Sequence, residues 1–249
     1  RIWDLATGAG RVLSTPGPIT ELLLTPDATR AVAIGPWDPD SSDGRAMRVW
    51  DLAAGTAREL PGDPNRVDAA ILSPDGRVVA AMTCGGGVSL IDLATLARRP
   101  LLPAAPRAKA NHACASAMAF SPDGRLLAVE GGARDRSRVS VLRLADGQVV
   151  RTMGPPQDDD IVRQIAFSRD GTRVQVLAET GLSSWPVAGG EAEPLVPSDI
   201  ATRFFAPIGD TARFVTAGTD RTIRIWAVGN PTSKVLTSVD EDRKSTRLN

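Results

Sequence analysis

"MAFSPDGRLLAVEG" (118–131) reads as two short apolar runs joined by a tight reversal. The proline presets φ for the first central position of a turn, the aspartate can bond its own backbone, and the glycine takes the left-handed conformation that closes the loop. Apolar run, turn, apolar run is a β-hairpin signature. The same arrangement recurs in "LLLTPDATRAVAIG" (22–35), "AILSPDGRVVAAM" (70–82), "IAFSRDGTRVQVLA" (165–178) and "FFAPIGDTARFVTAG" (204–218). A chain that reverses in the same way at a near-constant interval is built from copies of one unit, and that period governs the fold.

A second line alternates with the hairpins: "IWDLATG" (2–8), "VWDLAAG" (49–55), "LIDLATL" (90–96), "VLRLADG" (141–147), "SWPVAGG" (184–190) and "IWAVGN" (225–230). With Trp3, Trp50, Ile91, Leu142, Trp185 and Trp226 as anchors, the copies lie 41 to 51 residues apart. One unit therefore holds four strands, a to d; in the third these are "SAMAFS" (116–121), "RLLAVEG" (125–131), "RVSVLRL" (138–144) and "QVVRTM" (148–153). Strands a, b and c are near-continuous Val/Ile/Leu/Ala runs, as expected where neighbours cover both faces of a sheet. Strand d is more polar, as suits an outer edge. The sequence predicts five complete units beginning near Ile19, Val67, Ser116, Val162 and Thr202, preceded by a lone c–d pair over residues 1–15, and no helix.

Two independent motifs in fixed order at this period make residues 1–241 resemble the WD40-repeat β-propeller family, in a degenerate, bacterial-type form. The resemblance implies an all-β propeller of four-stranded antiparallel blades, a class built from about four to eight units. Five units and a strand pair leave such a ring incomplete. The chain starts "RIWDLATG", inside a unit, and is expected to be a piece of a longer protein that supplies the remaining blades. The last residues, "DRKSTRLN" (242–249), break with the Lys-poor style before them and match the in-frame translation of a common sequencing adapter, so they are set apart as a non-native tail.

Family blades often carry a Gly-His pair before strand a, with the His bonding an Asp in the b–c turn and, through a Ser or Thr, a Trp in strand c. The last unit keeps Thr216, Asp220 and Trp226 of that set, and the single histidine, His112, lies near the corresponding loop of another unit without the Gly. Without its partner, Asp220 is expected to bond the turn backbone or solvent. Pro186 removes a donor from the c strand around Trp185, which is expected to be short or irregular.

Composition sets outer bounds. Apolar residues make up 42% of the chain and charged ones 23%, which suits a globular protein with a substantial core. Basic and acidic residues balance at 29 each, and the tail accounts for a net +2 through Arg243, Lys244 and Arg247 against Asp242. No overall field draws the chain to nucleic acid. No apolar run reaches the roughly 18–20 residues that span a bilayer, so membrane insertion is not expected. Cys84 and Cys114 are too few for a disulfide framework, and a reducing, cytoplasmic compartment is favoured.

Candidate sites follow from loop length. The a–b and c–d turns are short and stereotyped, whereas the b–c and d–a connections vary: "GPWDPDSSDGRA" (35–46), "GGARDRS" (131–137), "LLPAAPRAKANHACA" (101–115) and "GPPQDDD" (154–160). Variable loops on a rigid frame are where binding usually sits. The partner-binding candidates are Trp37 with Asp38 and Asp40, Arg107 and His112, Arg134 and Arg136, and the acidic run Asp158, Asp159 and Asp160. Trp37 either anchors a partner or packs on its own blade; the acidic run is a solvated face or a lure for an Arg-rich peptide. "DPDSSDG" has calcium-loop composition but fails the required ligand spacing. His112 with Cys84 and Cys114 gives at most three zinc ligands. No cofactor is expected.

Catalysis has little to rest on: one His, no Tyr, no G-x-S-x-G elbow and no Gly-rich phosphate loop before a helix. The expected role is a non-catalytic scaffold that binds a protein or peptide on the b–c/d–a face. The resemblance places such arrays in larger signalling proteins, behind a kinase or switch domain. Two alternatives are a sensor or substrate-gating propeller of the translocation-protein and oligopeptidase type, and a small-molecule-binding or redox propeller enzyme.

Overall fold

The computed structural model describes residues 1–15, 17–35, 46–60, 67–83, 86–103, 117–131, 138–154, 160–197, 200–208 and 213–238. Strands β1 (Ile2–Trp3) and β2 (Gly10–Arg11) form a two-stranded sheet, and five four-stranded antiparallel sheets follow, each with its strands in chain order. Blade 1 is β3 (Glu21–Leu24), β4 (Arg30–Gly35), β5 (Ala46–Asp51) and β6 (Thr56–Glu59). Blade 2 is β7 (Val67–Leu72), β8 (Val78–Thr83), β9 (Val88–Asp92) and β10 (Arg98–Leu102). Blade 3 is β11 (Met118–Phe120), β12 (Leu126–Glu130), β13 (Val139–Arg143) and β14 (Val149–Met153). Blade 4 is β15 (Val162–Phe167), β16 (Arg173–Ala178), β17 (Gly181–Pro186) and β18 (Glu193–Pro194). Blade 5 is β19 (Thr202–Pro207), β20 (Arg213–Gly218), β21 (Thr222–Ala227) and β22 (Asn230–Ser238).

The first strands touch in succession, β3 with β7, β7 with β11 and β11 with β15, and β16, the second strand of blade 4, meets β19 of blade 5. The sheets therefore stand side by side about an axis lined by their a strands, which is the propeller arrangement. Side-chain alternation explains why the inner strands are apolar throughout. In β8, Val79 and Ala81 point into the core shared with blade 1, whereas Ala80 and Met82 point into the core shared with blade 3. In blade 4, Val174 and Val176 face blade 3 while Leu177 faces blade 5. The inner sheets bury both faces, and no position of β8 or β16 beyond the first is exposed.

The ring is open. At one margin Leu22 and Leu24 of β3 are more than half exposed, and at the other Phe204, Val235 and Leu236 are half exposed or more. The c strand around Trp185 is neither short nor irregular: β17 pairs with β16 at six consecutive positions, Arg173↔Pro186 to Ala178↔Gly181. Pro186 is the terminal residue of the strand, where a missing N–H disturbs least.

Candidate functional site

The b–c and d–a connections leave from one end of the sheets, as the pairings Gly35↔Ala46, Glu130↔Val139 and Ala178↔Gly181 place it. Of the partner-binding candidates, Trp37, Asp38, Asp40, Arg107, His112, Arg134, Arg136, Asp158 and Asp159 lie outside the described residues, as do Cys84 and Cys114. Asp160 is described, and it is not a surface charge. Only 4% exposed, it accepts from the backbone N–H of Glu179 (2.7 Å) and of Thr180 (3.3 Å), and from the Thr180 hydroxyl. Its carboxylate holds the b–c turn of blade 4 from the preceding d–a connection, where a family blade uses histidine and aspartate in the opposite polarity.

The opposite end is closed by the turns. In the a–b turns of blades 1 to 4 the hydroxyl donates to the aspartate two positions on: Ser73 to Asp75, Ser121 to Asp123 and Ser168 to Asp170, all at 2.6 Å, and Thr25 to Asp27 at 2.7 Å. The same hydroxyl accepts the N–H that starts strand b, as Val78 does to Ser73 at 3.0 Å. These hydroxyls, with the N–H two residues further on, hold all four carboxyls below their usual 3.8. The turns also meet one another. A Cβ on Gly76 would lie 2.8 Å from Pro26 Cδ, and Gly124 and Gly171 face Pro74 and Pro122 at 4.0 and 3.7 Å.

Strand d supplies a second inter-blade device. Arg11, Arg58, Arg99 and Arg151 each stand opposite the residue preceding the strand-c anchor: Ile2, Val49, Leu90 and Val141. Each donates to the c–d turn of the next blade. Arg11 reaches the carbonyls of Leu52 and, at 3.0 Å, Ala53; Arg58 reaches Ala94 at 3.4 Å; Arg99 reaches Leu144 at 2.5 Å; Arg151 reaches Pro186 and, at 2.6 Å, Gly190. Arg30 of β4 adds a bond to Leu93 at 3.1 Å.

The seam between blades 4 and 5 departs from this rule. The corresponding residue, opposite Ser184, is Glu193. Arg173, at the β16 position that Arg30 holds in β4, folds back onto its own sheet, bonding Ser184 (2.7 Å) and pairing with Glu193 at 3.0 Å. A cavity of about 780 Å³ runs along the outer side of this seam, from Thr180 and Gly181 past Glu193 and Leu195 to Gly229 and Asn230 in the c–d turn of blade 5. That turn has two residues, Val228 and Gly229, between paired Ala227 and Asn230, and is shorter than its counterparts.

In blade 5, Trp226 Nε1 donates to Thr216 Oγ1 at 2.8 Å, and the indole stacks on Phe214 with centroids 6.2 Å apart. Asp220 does not join that pair. It accepts from the Thr222 N–H and hydroxyl, as expected of a turn aspartate, and it also pairs with Arg224 at 2.6 Å, which the sequence did not indicate. Arg224 is the main cause that holds its carboxyl far below the usual range. Among the described residues, no three His, Cys, Asp or Glu side chains come together as a metal ion would need.

Comparison with known proteins supports the architecture. No family model matches the chain, and no curated protein matches its sequence. The structure is similar to the β-propeller domain of Cps50 (Swd1) from Myceliophteria thermophila, with a TM-score of 0.69 over 96% of this chain and 80% of that one, at 15% identity. At that identity the likeness concerns the fold, a WD40-type β-propeller.

Proposed function

We propose that this chain is a non-catalytic protein-interaction scaffold that holds a protein or peptide partner against the face formed by its b–c and d–a loops. The observation that carries the reading is the asymmetry between the two ends of the sheets. At one end, Ser and Asp side chains and Gly backbone are engaged in short turns, and Arg side chains in the bonds from blade to blade. At the other, the connections between strands differ in length, from two residues between β16 and β17 to fifteen between β10 and β11, and the sequence of the longer ones carries Trp37, Arg107, His112, Arg134 and Asp158. A rigid frame with variable loops at one end is suited to presenting a recognition surface.

The test is affinity capture by the full chain beside two variants, Trp37→Ala and one in which 104–116 is replaced by a four-residue Gly/Ser turn. A partner held by the parent and lost by either variant, with circular dichroism unchanged, supports the reading. Equal retention by all three contradicts it.

A further inference from the structure

The outer side of the blade 4–5 seam is a site built for a guanidinium that the chain itself does not supply there. At four successive seams the same position of strand d carries an arginine, eight or nine residues after the anchor, and that arginine reaches the next c–d turn. At the fifth seam the position is Glu193, which inverts the charge. The one other arginine placed to reach across, Arg173, is held by Ser184 and Glu193 on its own blade. Among the described residues, no side chain bonds the carbonyls of Val228 and Gly229, the counterparts of the accepting Leu52 and Ala53.

The shape of the seam agrees with its charge. A Cβ on Gly55 would meet Arg11 at 3.5 Å and one on Gly147 would meet the Leu101 carbonyl at 3.0 Å, because those c–d turns press against the preceding strand d. A Cβ on Gly229 would meet nothing within 4 Å. The turn glycine of blade 5 lines the cavity, whereas Gly55 and Gly147 face protein; Gly189, in the c–d turn of blade 4, also has nothing within 4 Å. The a–b turns repeat the difference: blade 4 has Arg169 where the turns of blades 1 to 3 have Pro26, Pro74 and Pro122, the prolines that seat the next blade's glycine.

We propose that this cavity binds an arginine of a partner protein, presented on an extended segment, and that the bound arginine takes the place of the missing fifth clasp. Its guanidinium donates to the Gly229 carbonyl and to Glu193 Oε1, since only Oε2 of that carboxylate is engaged, by Arg173. Planar donors on a rigid fork suit two such acceptors better than a lysine ammonium does. The arginine's methylene stem and the residues beside it lie along Leu182 and Leu195, which line the same cavity. The site lies on the rim and goes beyond the proposed function, whose surface is the loop face.

The test uses the full chain and the peptide acetyl-Thr-Ala-Arg-Glu-Leu-amide, the sequence of residues 56–60, in which Arg58 fills the homologous seam. Calorimetric titration should show binding that falls about tenfold or more when the peptide arginine is replaced by alanine, and by a similar factor in Glu193→Gln. Glu193→Arg should abolish binding and melt above the parent, because it installs the clasp in cis. No binding to the parent, or binding that survives both Glu193 variants, overturns the proposal. Self-association of the chain that Glu193→Arg removes would make a second copy the occupant and overturn the choice of a separate partner. Failure at the rim with loop-dependent capture intact removes this site and leaves the proposed function standing.

Discussion

The side-chain amide of Gln164 stands to the backbone of Phe205 as a neighbouring strand would. Its Nε2 donates to the Phe205 carbonyl at 2.8 Å and its Oε1 accepts from the Phe205 N–H at 3.2 Å. Gln164 lies in the a strand of blade 4 and Phe205 in that of blade 5, so the seam that is open at the rim is held near the axis by one amide. Gln164→Leu removes both bonds and leaves a largely buried backbone donor and acceptor without partners, at a cost of about 1–3 kcal/mol. A urea midpoint equal to the parent's would show that the seam does not depend on this pair.

The turn glycines differ in what they touch, which separates two causes of strain. Gly76 and Gly124 have the same backbone, φ +69° and +68°, but an added methyl meets Pro26 at 2.8 Å in the first and Pro74 at 4.0 Å in the second. Gly124→Ala should cost about 1–2 kcal/mol for the left-handed conformation alone. Gly76→Ala should cost more, since blade 2 must also move from blade 1. Equal urea midpoints for the two variants would mean that the turns do not pack on one another.

Acid should loosen the turns. Asp27, Asp75, Asp123 and Asp170 are held below the usual 3.8 by the hydroxyl two residues earlier. A carboxyl whose folded pKa is depressed contributes stability above its unfolded pKa and loses that contribution as the pH falls through the folded one. The melting temperature should therefore hold level down to about pH 4 and fall below it. The triple variant Asp75→Asn, Asp123→Asn, Asp170→Asn should show a shallower decline over that range. A decline as steep as the parent's would place the acid sensitivity elsewhere.

The uncovered margins predict association. Leu22 is 60% exposed and Phe204 64%, each beside further exposed apolar side chains on its own margin. Contiguous apolar surface of this kind drives self-association. Analytical ultracentrifugation of the full chain should show concentration-dependent oligomers, and Leu22→Lys with Phe204→Lys should shift the population toward monomer. A parent that sediments as a single monomer at all concentrations would contradict this.

What could be read from the sequence was whatever depends on near neighbours. The S-P-D-G reversals and the apolar runs flanking them mark the hairpins of the four-stranded sheets, because both depend on residues a few positions apart. Asp160 was misplaced because a run of three aspartates looks like a solvated face, and nothing local shows that the last of them reaches a turn twenty residues away. The arginine clasps were present in the spacing, eight residues after Trp3, Trp50 and Ile91 and nine after Leu142. An arginine in a polar edge strand gives no sign of its target, however, because the accepting carbonyls belong to the next repeat. The exception at Glu193 becomes informative only beside the rule that it breaks.

Arginines of strand d tie one blade to the next, and the tie is missing between blades 4 and 5. Urea melts of Arg151→Ala and Glu193→Ala test it most directly. Arg151 is partly buried and donates to two turn carbonyls, so its loss should cost about 1–3 kcal/mol. Glu193 forms an ion pair through a side chain that is 67% exposed, and its loss should cost less than about 1 kcal/mol. Equal losses, or a larger one for Glu193, would contradict the account.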